Sequence, residues 1–572
     1  MAHLTFGERL RVTAIGVGRR RRALLSKALG LPGIRLRYGP GRIEQLLIVP
    51  TDLRPTDPSF LHEVQHGHFG LAGTLARIDD MSPFDIPPPG RDWERALHGF
   101  AWLRHLSAAS EPEAGDMARQ LALEWIERYE VRQTHPIAWD PEILARRLIS
   151  WLSQSPLLLE DCDEASYDAI TRSLGAQLLR LSSTWRETPA GYPRLLAVIA
   201  LLLADLSVAG RDSRTAADTQ LLLSTLAAQI LSDGGHVSRN PRVLVEALLD
   251  LLPLKECFRA RGRPCPAGLE TAIADMLAML RHMRHDDGRI ARFNGVGPPQ
   301  QASLATVLTY APLRQAPEDE PAAFTGPSGY VRIARHRTVI IADCGPAPQF
   351  ELAGEAQAGC LSFELCSDGR LILANCGMPG AAYSDWIAAA RSTASHNTLV
   401  LGETSSARLI AGNDLQRMLG LSPIRGPERV QATTRRGADG TISVVAQHDG
   451  YLGAFGIIHH RRIVLEGDGR RVYGTDELKP PKGTLRLKRD VPFSIHFHLF
   501  PGVECRRAEK FGAFEIEAGE QRWRIAAEGA RAGLEESLHY ASNGGPLVGL
   551  QVVLRGATFG ESEVRWSLTR VA

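Results

Sequence analysis

Ala390-Arg391-Ser392-Thr393-Ala394-Ser395-His396-Asn397-Thr398-Leu399-Val400-Leu401 closes on a strand-like run, Asn397–Leu401, with His396 at its mouth. Similar runs flank it. Upstream are Gly329–Ala334, Thr338–Asp343, Leu361–Leu365 and Arg370–Ala374; downstream are Ile442–Gln447, Ile457–Leu465 and Phe493–Phe500. In the last of these, Phe493-Ser494-Ile495-His496-Phe497-His498-Leu499, apolar residues alternate with polar ones. Short strands at close spacing, with Asp-Gly turns at Asp368-Gly369 and Gly467–Gly469, predict an antiparallel sandwich from about Phe324 onward.

The preceding part of the chain has another texture. Between roughly Asp92 and Pro312, apolar residues recur three and four apart, as in Trp93/Leu97/Phe100 and Ile143/Leu144/Leu148/Ile149/Leu152. Pro- and Gly-containing turns separate the segments, so this half reads as successive helical hairpins. Leu195–Leu206 (LLAVIALLLADL) is apolar on every side but short, which predicts a buried helix and not a membrane span. The division is therefore a loop-rich N-terminal arm at 1–91, a helical domain at 92–318 and a β-domain at 319–572, with the boundary near Leu313–Gly326.

Composition narrows the function classes. With 44% hydrophobic and 23% charged residues and a net charge of +2, the 572-residue chain has no global pull toward nucleic acid or anionic membranes. An anionic ligand would need a local basic cluster. None of the eight cysteines stands in a CxxC pair, so they read as free thiols suited to a reducing compartment. The N-terminus lacks the order of a secretory signal, because Arg9 and Arg11 break its apolar stretch and the Arg19–Arg22 run follows that stretch.

The quoted stretch resembles the R-x-T-x-x-HNT signature of the heparinase II/III C-terminal domain. Leu361-Ser362-Phe363-Glu364-Leu365, Cys376-Gly377 and Tyr383 stand upstream of it in matching order. His448-Asp449-Gly450-Tyr451 and His459-His460-Arg461-Arg462 stand downstream. In the helical half, Ser232-Asp233-Gly234-Gly235-His236 and Asn240-Pro241 resemble the family's D-G turn and S-P helix start. The resemblance implies an incomplete (α/α) toroid followed by an antiparallel β-sandwich. It also implies β-elimination on an acidic, uronate-containing polysaccharide in the cleft between them. That reaction needs a base for the C5 proton, an acid for the leaving oxygen and a group relieving the uronate charge. An envelope or periplasmic place comes with the family; the cytoplasm is the alternative.

Several family positions have changed. Val243 stands where a Tyr is usual, and Tyr192-Pro193-Arg194 where an Asn-His pair is usual. Glu355 replaces a catalytic-type His, while Gln357 and Asn375 replace a His and an Asp of the zinc-binding members; only His396 remains. Zinc prefers imidazole and anionic donors, so neither a metal nor another cofactor is expected. The neutral trio is expected to hold itself together by hydrogen bonds instead. His496 and His498 have metal-pair spacing with nothing nearby to complete a set. The acid/base candidates are His236, Glu355, Tyr383 and His396, with Tyr192 as a further option. Arg194, Asn240, Arg391 and Asn397 are the candidate substrate contacts. Two readings stand: a lyase with a rebuilt site, or a glycan-binding or assembly module that kept the fold without the chemistry.

Overall fold

The computed structural model describes residues 6–29, 43–109, 111–131, 133–310, 326–410, 422–481, 490–509, 512–559 and 563–571. The expected domain boundary lies almost wholly outside them. The helical half folds around Tyr192–Ser207, whose residues from Leu195 onward are all buried. An all-round apolar helix must be enclosed, and three helices do this: Pro141–Ser153, Asp212–Gln229 and Pro241–Ala260. Local chemistry starts these helices where it should. Asp140 accepts a hydrogen bond from Glu142 N, Asn240 accepts one from Arg242 N, and each is followed by proline at the first helical position.

The segment expected to be a loop-rich arm holds regular structure. It contains helices Phe6–Leu29 and Phe60–Gln65 and the hairpin His68–Leu71/Thr74–Arg77. Phe60, Leu61 and Phe69 enter the core of the helical half. Its short apolar pieces are too brief to show a period, so only their burial reveals what they do.

The β-half is antiparallel throughout. One eight-stranded sheet runs in the order Val430–Arg436, Ile442–His448, Ile458–Leu465, Arg471–Lys479, Glu563–Arg570, Gln521–Glu528, Ala513–Ala518, Glu504–Arg507. A four-stranded sheet, Arg531–His539, Leu547–Ala557, Pro492–His498, Leu399–Leu401, and a second, Tyr330–Arg335, Thr338–Asp343, Phe363–Ser367, Arg370–Leu373, share its core. Phe363 stacks on Trp566 with ring centres 5.5 Å apart. The His448 and His459 motifs serve this core. Gly450 N donates to His448 Nδ1, and His448 Nε2 lies 3.2 Å from His459 Nδ1. His459 Nε2 then donates to Asp476 at 2.7 Å. Asp476 also receives Arg461 and Trp566, and Arg461 reaches on to the Asn397 carbonyl.

Toroid and sandwich are bolted together. Fully buried Arg239 pairs with Asp343 and donates to the carbonyls of Ser328 and Pro346. Asn294 donates to the other Asp343 oxygen at 3.0 Å and to the Tyr330 hydroxyl at 2.8 Å. Tyr330, Val339 and Ile341 of the sandwich pack into the toroid's own core.

Candidate functional site

Asn240 and Glu355 meet at the seam. Asn240 caps the helix Pro241–Ala260 with its Oδ1 and donates its Nδ2 to Glu355 Oε2 at 2.8 Å. Arg242 donates to Glu355 Oε1 at 3.1 Å. Gly295 allows this approach: at φ 106° it has no Cβ, and one built there would lie 2.5 Å from Asn240 Nδ2. The Glu355 side chain stays 52% exposed.

Arg391, expected to touch substrate, is buried and holds Glu355's own segment. It donates to the carbonyls of Ala353, Ala356 and Ser422. It is a positioning residue. Asn397 is likewise internal, donating to Phe363 O and accepting from His498 N. Arg194 is spent on the carbonyls of Arg186 and Thr188, where it ties a helix start to the preceding turn.

The two histidines are not presented to a ligand. Backbone Ser238 N donates to His236 Nδ1, so the ring proton is on Nε2, which donates to Gln229 Oε1 at 3.1 Å. Burial pushes its pKa down to about 4. His396 donates Nδ1–H to Ser392 O at 2.7 Å, and burial lowers it to about 4 as well. Tyr383 belongs to the 3-10 turn Ala381–Trp386 and lies over Gly545. Of the eight residues singled out, a side-chain hydrogen bond joins only Asn240 to Glu355.

The old metal positions do not fit an ion. Gln357 Oε1 accepts from Gly295 N, and its Nε2 donates to Ala390 O at 2.8 Å. Asn375 Oδ1 accepts from Asn397 N. The expected mutual bonding of the trio is thus replaced by bonds to backbone. His396 Nε2 and Asn375 Nδ2 are left buried without a partner, one acceptor and one amide donor. One imidazole and two neutral amides give no anionic ligand. His496 and His498 are each satisfied by neighbours, Gln551 and Ser494, Ser537 and Ala394 O. Glu94, His98 and His135 do cluster within 4.8 Å. However, Trp125 donates to His98 Nδ1 and Ala138 N donates to His135 Nδ1. Both neutral rings therefore carry their proton on Nε2, and that of His135 lies 3.6 Å from Glu94, so Nε2 offers no lone pair to an ion.

A polar cavity of about 400 Å³ opens in the toroid beyond the seam, lined by Arg54, Arg95, Arg104, Arg146, Tyr192, Glu246 and Gln300 among others. Glu246 lines it from the helix Pro241–Ala260, on the face that also carries Arg242 and Asp250 one turn to either side. That spacing was readable in the sequence. The arginines were not, because Arg54 and Arg146 come from distant segments. Asp250, 1% exposed, accepts from Arg54 at 2.8 Å, Arg146 at 2.8 and 3.0 Å and the Tyr192 hydroxyl at 2.7 Å. Burial alone would raise its pKa, but Arg146 and Arg54 hold it well below the usual carboxylate range. Burial pushes Tyr192 well above the usual phenol value, which disqualifies it as a base near neutrality.

Residues 317–567 match the heparinase II/III-like C-terminal domain. The chain is 30% identical to FtsZ-localized protein C of Caulobacter vibrioides (strain NA1000 / CB15N) over 94% of its own length and 92% of the relative's. Its fold is similar to that of a crystal structure of heparinase III, at a TM-score of 0.68 and 12% identity over 90% of this chain and 84% of that one. A heparan sulfate lyase from Pedobacter heparinus superposes at 0.58 with 15% identity, covering 94% and 87%. At such identities the likeness concerns the fold alone. Motif order, toroid, sandwich and full-length relative agree: the chain belongs to the heparinase II/III-type family and carries its polysaccharide-lyase-like fold.

Proposed function

We propose that this protein is a glycan-binding member of its family that no longer performs β-elimination and that acts at the places where FtsZ gathers. The fate of the acid/base groups carries the first part. Elimination needs a base and an acid within hydrogen-bond reach of one sugar ring. His236 has both ring nitrogens engaged internally, His396 is fully enclosed, and Glu355 is shared between Asn240 and Arg242. The hydrogen-bond partners of Glu355 are an amide and a guanidinium, and neither is a general acid for a leaving sugar oxygen. What remains is a polar cleft on a carbohydrate-enzyme scaffold.

The second part follows the name of the Caulobacter relative, which records a location and no reaction. It favours the cytoplasmic alternative over the envelope, in keeping with eight cysteines that are all free. Incubating the folded protein with uronate-containing glycans at several pH values should produce no absorbance from unsaturated uronate. Any such product would return the chain to the lyases. A fluorescent fusion should gather with FtsZ, and a uniformly diffuse signal would remove the division role.

A further inference from the structure

We infer that the toroid cleft takes an oligosaccharide carrying few or no charges, and not a polyuronate or sulfated chain. This rests on the glycan-binding reading and names its ligand class. Two guanidiniums and a phenol converging on one carboxylate make a carboxylate receptor. Here the receptor is filled from within, because Arg54, Arg146 and Tyr192 each donate to Asp250. Three more ion pairs match cations of the cavity and the recess. Arg95 pairs with Glu142 at 2.6 Å, Arg54 also meets Glu246 at 3.4 Å, and Arg242 meets Glu355. Arg104 of the cavity and Arg292 of the recess have no carboxylate within ion-pair distance among the described residues; Arg104 Nε donates to Pro55 O and Arg292 to Asn375 O. A polyanion would have to displace a buried carboxylate from its partners, and breaking such a pair is strongly unfavourable.

The rest of the cleft suits uncharged sugar. Gln300 lines both this cavity and the recess beside Arg242, linking the two along the helix Pro241–Ala260. The loop through Val296 and Pro298 that walls the recess also touches Met378 and Gly380. That contact leads to the turn bearing half-buried Tyr383 and Trp386, which is 40% exposed. Trp386 packs one side against Tyr540, with ring centres 5.9 Å apart, and its exposed indole offers a flat apolar face for the C–H side of a pyranose.

Calorimetry on the full chain with four hexasaccharides tests this: cello- and chito-hexaose against oligogalacturonate and a heparin-derived hexamer. At least one uncharged hexamer should bind, with affinity changing less than about twofold between about 20 and 300 mM salt. Trp386→Ala should weaken it about tenfold. Glu246→Gln, at a partly exposed position, should raise affinity for the anionic hexamers, because it uncovers Arg54 without disturbing Asp250. Preferential binding of an anionic hexamer by the unaltered protein, falling steeply with salt, would overturn the ligand class and leave glycan binding standing. No binding by any of the four would overturn the glycan reading itself.

Discussion

Asn240 reaches across the seam to Glu355 at 2.8 Å, so the residue that caps a toroid helix also fixes the sandwich's most exposed candidate acid. Cap and site are one side chain. The cleft geometry therefore depends on where that helix begins, which in turn depends on the Asn240-Pro241 pair.

Replacing Asn240 with Ala removes the cap and the bond to Glu355 together. It should destabilise the protein by about 1 kcal/mol in urea unfolding, the usual cost of a lost N-cap. Glu355→Gln, at a half-exposed position, should stay within about 0.5 kcal/mol of the parent. If the second change cost more than the first, Glu355 would be a structural anchor.

The Arg239–Asp343 pair should behave differently, because both side chains are buried. Asp343→Ala leaves a guanidinium enclosed without its carboxylate, a loss of about 3–5 kcal/mol. Removing the exposed Arg77–Asp79 pair should leave the unfolding midpoint unchanged. The two variants together tell a bolt from a surface contact.

Metal content is the third expectation. Dialysed protein should hold no stoichiometric zinc by elemental analysis, and chelator should not shift its melting temperature. Gln357→His with Asn375→Asp supplies an imidazole and a carboxylate beside His396, and the pair should bind zinc. Zinc in the parent at one per chain would show that the amides suffice.

Acidification should weaken the fold through its buried histidines. Burial lowers His98 and His539 to about 3 and His236 and His396 to about 4, against 6.5 when unfolded. Between those values the unfolded chain binds protons that the native state refuses, so stability falls as pH drops from about 6.5 toward 4. Melting temperatures from pH 7.5 to about 4.5 should show the decline. His236→Gln should flatten it, and an unchanged slope would mean that the ring is protonated in the native state.

How much of this was legible depends on the range of the interaction. Period and motif order revealed the helical half, the strands and the HNT run, since those patterns are set by neighbours three, four or two residues away. They also revealed that Gln357 and Asn375 no longer form a metal set, since donor chemistry belongs to the residue itself. What His236, His396, Arg391 and Asn397 do was decided only by packing. Arg391, His396 and Asn397 match the family motif and His236 follows its D-G turn, yet their hydrogen bonds are taken by Ala353, Ser392, Phe363 and Gln229. The arginine cavity was invisible for the same reason: Arg54, Arg146, Tyr192 and Asp250 lie far apart along the chain. The sequence by itself determined the scaffold and the loss of the metal donors. Only the tertiary structure decided which polar groups still face a ligand, because a polar side chain in the interior bonds to whatever the fold brings within reach.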